Sequence, residues 1–121
     1  MSTLSITVRP GADGAVHIHP VGEVDADNSH ELRETVSVLL LGDRPPALIR
    51  VDMSQVRFID SVGIGALVAC YHAAAASGIR LVVSNPTSYV HRILYVSGLL
   101  GLFGSPARPP EQLRESAPAV S

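Results

Sequence analysis

The sequence predicts an α/β fold: one domain built on a mixed sheet of four or five strands, covered by three or four helices. Three observations predict it. Short runs of strand length alternate along the chain with longer segments whose apolar residues recur at helical spacing. Gly, Pro, Asn and Asp punctuate the boundaries between them. A chain of 121 residues, 46% hydrophobic and 17% charged with mean hydropathy +0.29, carries enough apolar side chain for one core without disulfides or metals.

The elements follow in order. Leu4-Ser5-Ile6-Thr7-Val8 alternates apolar and polar residues, Pro10-Gly11-Ala12-Asp13-Gly14 signals a turn, and Val16-His17-Ile18-His19-Pro20-Val21 resumes the alternation. Two hairpin-paired strands are expected. After Gly22-Glu23-Val24-Asp25, Asn28 is placed to cap a helix with Glu31 as its capping-box partner, and Leu32, Val36, Leu39 and Leu40 form the buried stripe. Gly42 ends that helix, Pro45-Pro46 resets the backbone, and Ala47 to Asp52 reads as a strand buried in the sheet.

The second helix is expected to begin at Ser61, with Ile64, Leu67, Val68 and Tyr71 at helical spacing and Gly78 as its stop. Ile79 to Ser84 is the next strand. Asn85-Pro86 predicts the cap and first turn of a third helix, with Val90, Ile93 and Leu94 inward and Gly98 closing it. Leu99 to Phe103 should fold back onto the core. Prolines at 106, 109, 110 and 118 then break any helical pattern, so the domain is assigned to residues 1–104 and a flexible Pro-rich tail to 105–121. Successive βαβ crossovers imply the mixed sheet.

Charge and motifs narrow the chemistry. The formal net charge of −2 offers no footprint for nucleic acid or an acidic membrane, and all nine basic residues are arginines scattered along the chain. The single Cys70 excludes an internal disulfide and reads as a small buried hydrophobe. No apolar run approaches a membrane span, and no targeting segment precedes the first strand, so a cytoplasmic protein is expected. His17 and His19 share a strand face but have no ligand partners at fixed offsets, so neither a metal nor another cofactor is expected. Asp60, Ser61 and the histidines do not make a hydrolase, because a nucleophile elbow needs Gly where position 59 is Ile. Gly63-Ile64-Gly65 lacks the Lys of a phosphate-binding loop. An enzyme is not expected.

The most informative stretch is Asp60-Ser61-Val62-Gly63-Ile64-Gly65, where a hydroxyl stands at the mouth of a helix. Ser61 is expected to cap the first-turn N–H groups, and a phosphate placed there would meet the same donors and the positive end of the dipole. Gly63 and Gly65 would leave room for a partner to approach Ser61. A serine at such a position is ordinarily a cap and nothing more.

Taken together, Gly22-Glu23-Val24-Asp25, Val51-Asp52-Met53-Ser54, Phe58-Ile59-Asp60-Ser61-Val62-Gly63-Ile64-Gly65-Ala66-Leu67 and Ser97-Gly98-Leu99 resemble the STAS-domain family. The likeness is strongest to the stand-alone anti-sigma-factor antagonists of bacteria and spans about Leu4 to Gly104. It implies a STAS-like single domain. It further implies that Ser61 is phosphorylated by an anti-sigma factor with serine kinase activity and reset by a phosphoserine phosphatase. The unphosphorylated form would bind that kinase and release the sigma factor, through a surface made of Glu23, Asp25, Asp60, Ser61, Val62 and Gly63. Val62 departs from the family, whose members often carry Ser or Thr there. The alternative keeps the fold as a non-phosphorylated scaffold or adaptor subunit of a lipid-transport or stress-signalling complex.

Overall fold

Leu4–Pro10 (β1) and Ala15–Val24 (β2) form the expected hairpin around a short 3-10 turn at Ala12–Gly14, with Leu4 opposite Gly22 and Pro10 opposite Val16. The computed structural model describes residues 3–109. Within them the chain continues as helix Ser29–Leu41 (α1), strands Leu48–Asp52 (β3) and Gln55–Ile59 (β4), helix Ser61–Ala76 (α2), strand Arg80–Ser84 (β5) and helix Ser88–Val96 (α3). Three α-helices and a five-stranded mixed sheet match the expected architecture.

The sheet runs β1-β2-β3-β5, with every pairing parallel except the β1–β2 hairpin. β4 has no counterpart among the elements expected from the sequence. It too pairs parallel with β2, so that β3 covers Ala15 to Ile18 and β4 covers Val21 to Val24 along the same long partner. Met53 and Ser54 make the step between the two short strands, and Asp52 Oδ1 accepts the Ser54 N–H at 2.9 Å there. Pro20, which has no N–H to donate, falls on β2 where the β3 ladder has ended and the β4 ladder has not begun.

β2 also bulges between Gly22 and Glu23. Gly22 has φ +117, and the Glu23 N–H donates to Thr3 O, just ahead of β1, at 2.9 Å, which fastens the bulge. This device sets the end of β2 and, with it, the loop that faces the start of α2.

Ile18, Val24, Ile49, Val51 and Leu81 from the sheet meet Leu32, Val36, Leu67 and Leu94 from the helices in one core. Each such side chain stabilises the fold by about 1.5–3 kcal/mol on burial. The predicted stripes are found: Leu32, Val36, Leu67, Val90 and Leu94 are buried, and Leu39, Leu40, Ile64, Val68, Tyr71 and Ile93 pack against them half-covered. The end of the chain folds back as expected. Phe103 is fully buried, stands edge-on to Tyr71, and its carbonyl accepts the Val83 N–H at 3.1 Å.

Helix starts are where expectation and structure part. Asn28 does precede α1, but its side chain makes no capping bond; it serves the preceding loop, accepting the Asp25 N–H and donating to Glu23 O, both at 2.9 Å. The third helix is capped by Thr87 and not by Asn85, which lies outside it with φ +50. Ser105 N–H donates to Leu100 O at 2.7 Å, which ties the first residue of the assigned tail to the domain. Residues 110–121 of that tail lie outside the described residues.

Candidate functional site

The site begins with how α2 is held. Asp60 is its cap: Oδ1 accepts the Gly63 N–H at 2.8 Å, while Oδ2 accepts the Ala26 N–H at 3.2 Å from the loop after β2. The Asp60 N–H in turn donates to Val24 O at 3.2 Å. One carboxylate thus closes the helix start and ties it to the β2–α1 loop. This loop is itself wound tight, with the Asp27 N–H on Asp25 Oδ1 and the Asn28 and Ser29 N–H groups on Asp25 O.

The expected role of Ser61 as cap is therefore corrected: the preceding carboxylate takes it. A carboxylate is the better acceptor against the positive end of a helix, and its placement leaves Ser61 as the first helical residue. Ser61 is exposed, and its hydroxyl has no hydrogen-bond partner among the described residues. Asp60, with both oxygens occupied by backbone donors, does not orient that hydroxyl.

Gly63 is corrected as well. It is buried, and a Cβ there would lie 2.5 Å from Val24 O and 2.8 Å from Ile59 Cγ1. Its small size lets α2 sit on the end of β2 rather than opening a path for a partner. Gly65, by contrast, is exposed with nothing within 4 Å of an added Cβ, and Val62 is 46% exposed. The outer side of the first turn is thus Ser61, Val62 and Gly65.

The expected flanking acids divide. Asp25 lies in the loop fastened to Asp60, beside the helix start. Glu23 sits on β2 and directs its carboxylate to Arg57 on β4, at 3.7 Å. This exposed pair contributes little to stability, but it offsets part of the negative charge near the site.

Two residues that sequence reasoning did not single out for a role also border the site. Phe58 and Tyr89 stack with ring centroids 5.9 Å apart, both more than 40% exposed, and the Tyr89 hydroxyl donates to Ile59 O at 3.3 Å, next to Asp60. Phe58 lies on the unrecognised β4 and Tyr89 in the first turn of α3, so only the fold joins them. Their rarity was the available signal in a chain that is 4% aromatic.

Burial raises the Cys70 thiol to about 11, against a smaller opposing pull from Arg33, and its Sγ lies 3.9 Å from Leu32 O. Asp52 is partly buried, which opposes ionisation, but Ser54, Asn85 and His19 together hold its carboxyl below the usual range. His17 and His19 line a shallow cavity of about 340 Å³ with Thr7, Arg9 and Asp52. Among the described residues no group of three or more His, Cys, Asp or Glu side chains is placed to hold a metal ion. No helix among them is long and apolar enough to cross a membrane.

What the site amounts to chemically is a solvent-facing primary hydroxyl on a carboxylate-capped helix start, with Asp25 in the adjoining loop and the exposed Val62 beside it. Comparison with known proteins gives it a family. The STAS domain family matches residues 5–115. An anti-sigma-B factor antagonist from Listeria monocytogenes is 23% identical over 96 residues, which cover 79% of this chain and 82% of that protein. In structure the chain is similar to an anti-sigma factor antagonist from Mycobacterium paratuberculosis, with TM-score 0.73, 22% identity, and coverage of 89% of this chain and 86% of that one. It is also similar to the Bacillus cell fate determinant SpoIIAA in its phosphorylated form, with TM-score 0.66, 20% identity, and coverage of 97% and 100%. At those identities the structural likeness speaks for the fold. With nearly its whole length matched by the family, this chain belongs to the STAS domain family.

Proposed function

We propose that this protein is an anti-sigma-factor antagonist whose unphosphorylated form binds an anti-sigma factor with serine kinase activity, and that phosphorylation of Ser61 switches binding off until a phosphoserine phosphatase resets it. The observation that carries this reading is the Ser61 hydroxyl, exposed and uncommitted on the first residue of α2. Relatives of the same fold support it by name, and SpoIIAA has been solved both unphosphorylated and phosphorylated.

The switch works by charge. A phosphoserine adds about −1.5 to −2. The first-turn N–H of Gly63 already serves Asp60, and the negative charge of Asp60 stands next to the acceptor in sequence. The helix start thus holds a carboxylate before any phosphate arrives. The exposed placement of Ser61 leaves the fold free to accept the phosphate with little rearrangement, while a partner docked over Ser61, Val62 and the Phe58–Tyr89 pair would have to desolvate it. Such a penalty of several kcal/mol lowers affinity roughly a hundredfold or more, at tenfold per 1.4 kcal/mol.

The test is incubation with the cognate kinase and ATP, followed by mass analysis and binding measurements on wild type, Ser61→Ala and Ser61→Asp. One phosphate on wild type and none on Ser61→Ala, with tight binding by Ser61→Ala and weak binding by Ser61→Asp, is the expected pattern. Equal affinity of wild type and its phosphorylated form removes the electrostatic switch. Tight partner binding with no phosphate transfer to any residue moves the protein to the scaffold reading.

A further inference from the structure

The edges of the sheet are treated unequally. Along β5 the returning chain lies against the outer edge, where the Val83 N–H donates to Phe103 O at 3.1 Å. β4 is covered by the start of α3: Thr87 Oγ1 donates to Val56 O at 3.2 Å and the Tyr89 hydroxyl to Ile59 O at 3.3 Å. β1 pairs with β2 on one side, and among the described residues no strand or side chain pairs with its other side.

The ladder fixes which backbone groups that leaves over. At its two ends the Glu23 N–H donates to Thr3 O at 2.9 Å and the Gly11 N–H to Ala15 O at 2.8 Å, in the register that sets Leu4 opposite Gly22 and Pro10 opposite Val16. Alternation along an antiparallel pair then gives the N–H and C=O groups of Ser5, Thr7 and Arg9 to β2 and points those of Leu4, Ile6 and Val8 outward. Pro10 belongs to the outward set, where its missing N–H costs the hairpin nothing.

The side chains of the same three residues are incompletely covered. Leu4 and Ile6 are half-buried against the core, and Val8 is 44% exposed although Ile18, opposite it on β2, is fully buried. Free edges are ordinarily guarded by a charge, a proline or a bulge. Leu4 to Val8 carries none of the three.

We propose that β1 is the contact of a two-fold homodimer, in which two copies of this chain pair their β1 edges antiparallel about Ile6. In that register Ile6 faces Ile6 and Leu4 faces Val8 of the other copy, and every outward N–H of Leu4, Ile6 and Val8 finds a carbonyl. A shift of two residues would set Leu4 against Pro10 and lose a donor. The facing side chains are apolar on the helix side, while Ser5 meets Thr7 on the other side of the sheet. Arg9, the one charged residue of β1, falls opposite Thr3, so no like charges meet. A two-fold interface needs a patch that complements itself, and this strand does. Its seven residues run about 24 Å, and an edge of that length, one strand and one helix deep, covers on the order of 350 Å² on each copy, against about 800 Å² for a standard stable interface. The dimer is therefore reversible, with a dissociation constant on the order of 10–100 μM. Ser61 lies outside this edge, and the test does not depend on the anti-sigma reading.

The full chain is followed by sedimentation equilibrium from about 5 μM to about 1 mM, with backbone amide exchange measured at both ends of that range. The mass should rise toward that of two chains. The Leu4, Ile6 and Val8 amides should become protected only at the high concentration, whereas those of Ser5, Thr7 and Arg9, bonded to β2, should be protected at both. Val8→Pro removes an outward N–H from each copy without breaking a bond to β2, and should weaken the dimer roughly tenfold or more. Val96→Ser removes an apolar side chain that is 72% exposed on α3 and should leave the dimer within about twofold. If Val8→Pro disturbs the amide spectrum of the monomer beyond β1, the exchange alternation in wild type decides alone. A chain that stays monomeric throughout, a dimer whose Leu4, Ile6 and Val8 amides exchange as fast as in dilute solution, or protection of those amides already in the dilute monomer overturns the proposal. Weakening by Val96→Ser and not by Val8→Pro does so as well, because it assigns the association to another surface.

Discussion

Two helices of this protein begin within reach of the same short strand β4, and their N-termini have opposite chemistry. α2 starts behind a carboxylate, Asp60, with Asp25 in the adjoining loop. α3 starts behind a neutral hydroxyl, Thr87, and opens into a groove lined by arginines. Both present the same backbone dipole, equivalent to about half a positive charge. The dipole alone therefore does not decide what a helix start does with an anion; the side chains around it do. At α2 a negative group is already in place, so the phosphate proposed for Ser61 would join a carboxylate that the helix start already holds. At α3 the cap is a neutral hydroxyl, and among the described residues its first turn carries no acidic side chain.

The sharpest way to break this arrangement is at the buried side of α2. Gly63→Ala puts a Cβ 2.5 Å from a backbone carbonyl that cannot move without shifting β2, and should destabilise the protein by about 1–3 kcal/mol. Gly65→Ala, two residues on, meets nothing within 4 Å and should stabilise it by about 0.5–1 kcal/mol through helix propensity. Denaturant midpoints of the two variants check the contrast. Equal effects would mean that α2 is not wedged against Val24.

Next in size are the caps. Asp60→Ala removes the acceptor of both the Gly63 and Ala26 N–H groups along with a charge favourable to the dipole, and should cost about 1–2 kcal/mol. Thr87→Ala removes one accepted bond, from Val90, and one donated to Val56 O, and should cost about 1 kcal/mol. Asp60→Asn keeps an acceptor and drops the charge, and should fall between wild type and Asp60→Ala. A larger loss at Thr87 than at Asp60 would show that the charged cap is not what distinguishes the two starts.

How much of this was legible in the sequence follows from the same residues. Periodicity located every helix and four of the five strands, because Leu32, Val36, Leu67 and Leu94 bury at the spacing that a helix imposes. β4 escaped because it is five residues long and follows β3 after only Met53 and Ser54; that two short strands share one long partner is a fact of tertiary pairing. The caps were misplaced by one or two residues for a chemical reason. Asp60 and Ser61 are both good caps, as are Asn85 and Thr87, and which oxygen reaches the N–H groups depends on where the preceding strand ends. At Gly63 the residue type was right but its purpose was not, since a glycine required by packing and one that grants access look alike in one sequence. The Phe58–Tyr89 stack and the arginine groove join residues far apart in the chain, and no local pattern announces either.

The smallest expected effect lies between the two helix starts, at Asp52. Its carboxylate ties the β3–β4 step to the loop ahead of α3, accepting from Ser54 at 2.9 Å and from Asn85 at 3.3 Å. Partial burial works against the charged form, but these donors and His19 outweigh it, so the folded-state carboxyl ionises at lower pH than the ordinary 3.8. The sign follows directly. Ionised Asp52 stabilises the fold above the unfolded-state value, and that contribution is lost as pH falls below 3.8 and through the lower folded-state value. Asp52→Asn, which holds no titrating proton, should therefore lose less stability than wild type between pH 5 and about pH 2–3, by less than about 1 kcal/mol because the group is partly solvated. Denaturant titrations of both proteins across that range check it. If the two acid limbs coincide, the hydrogen bonds to Asp52 are no stronger in the charged state than in the neutral one, and the anchoring of α3's start rests on Thr87 and the core beneath it.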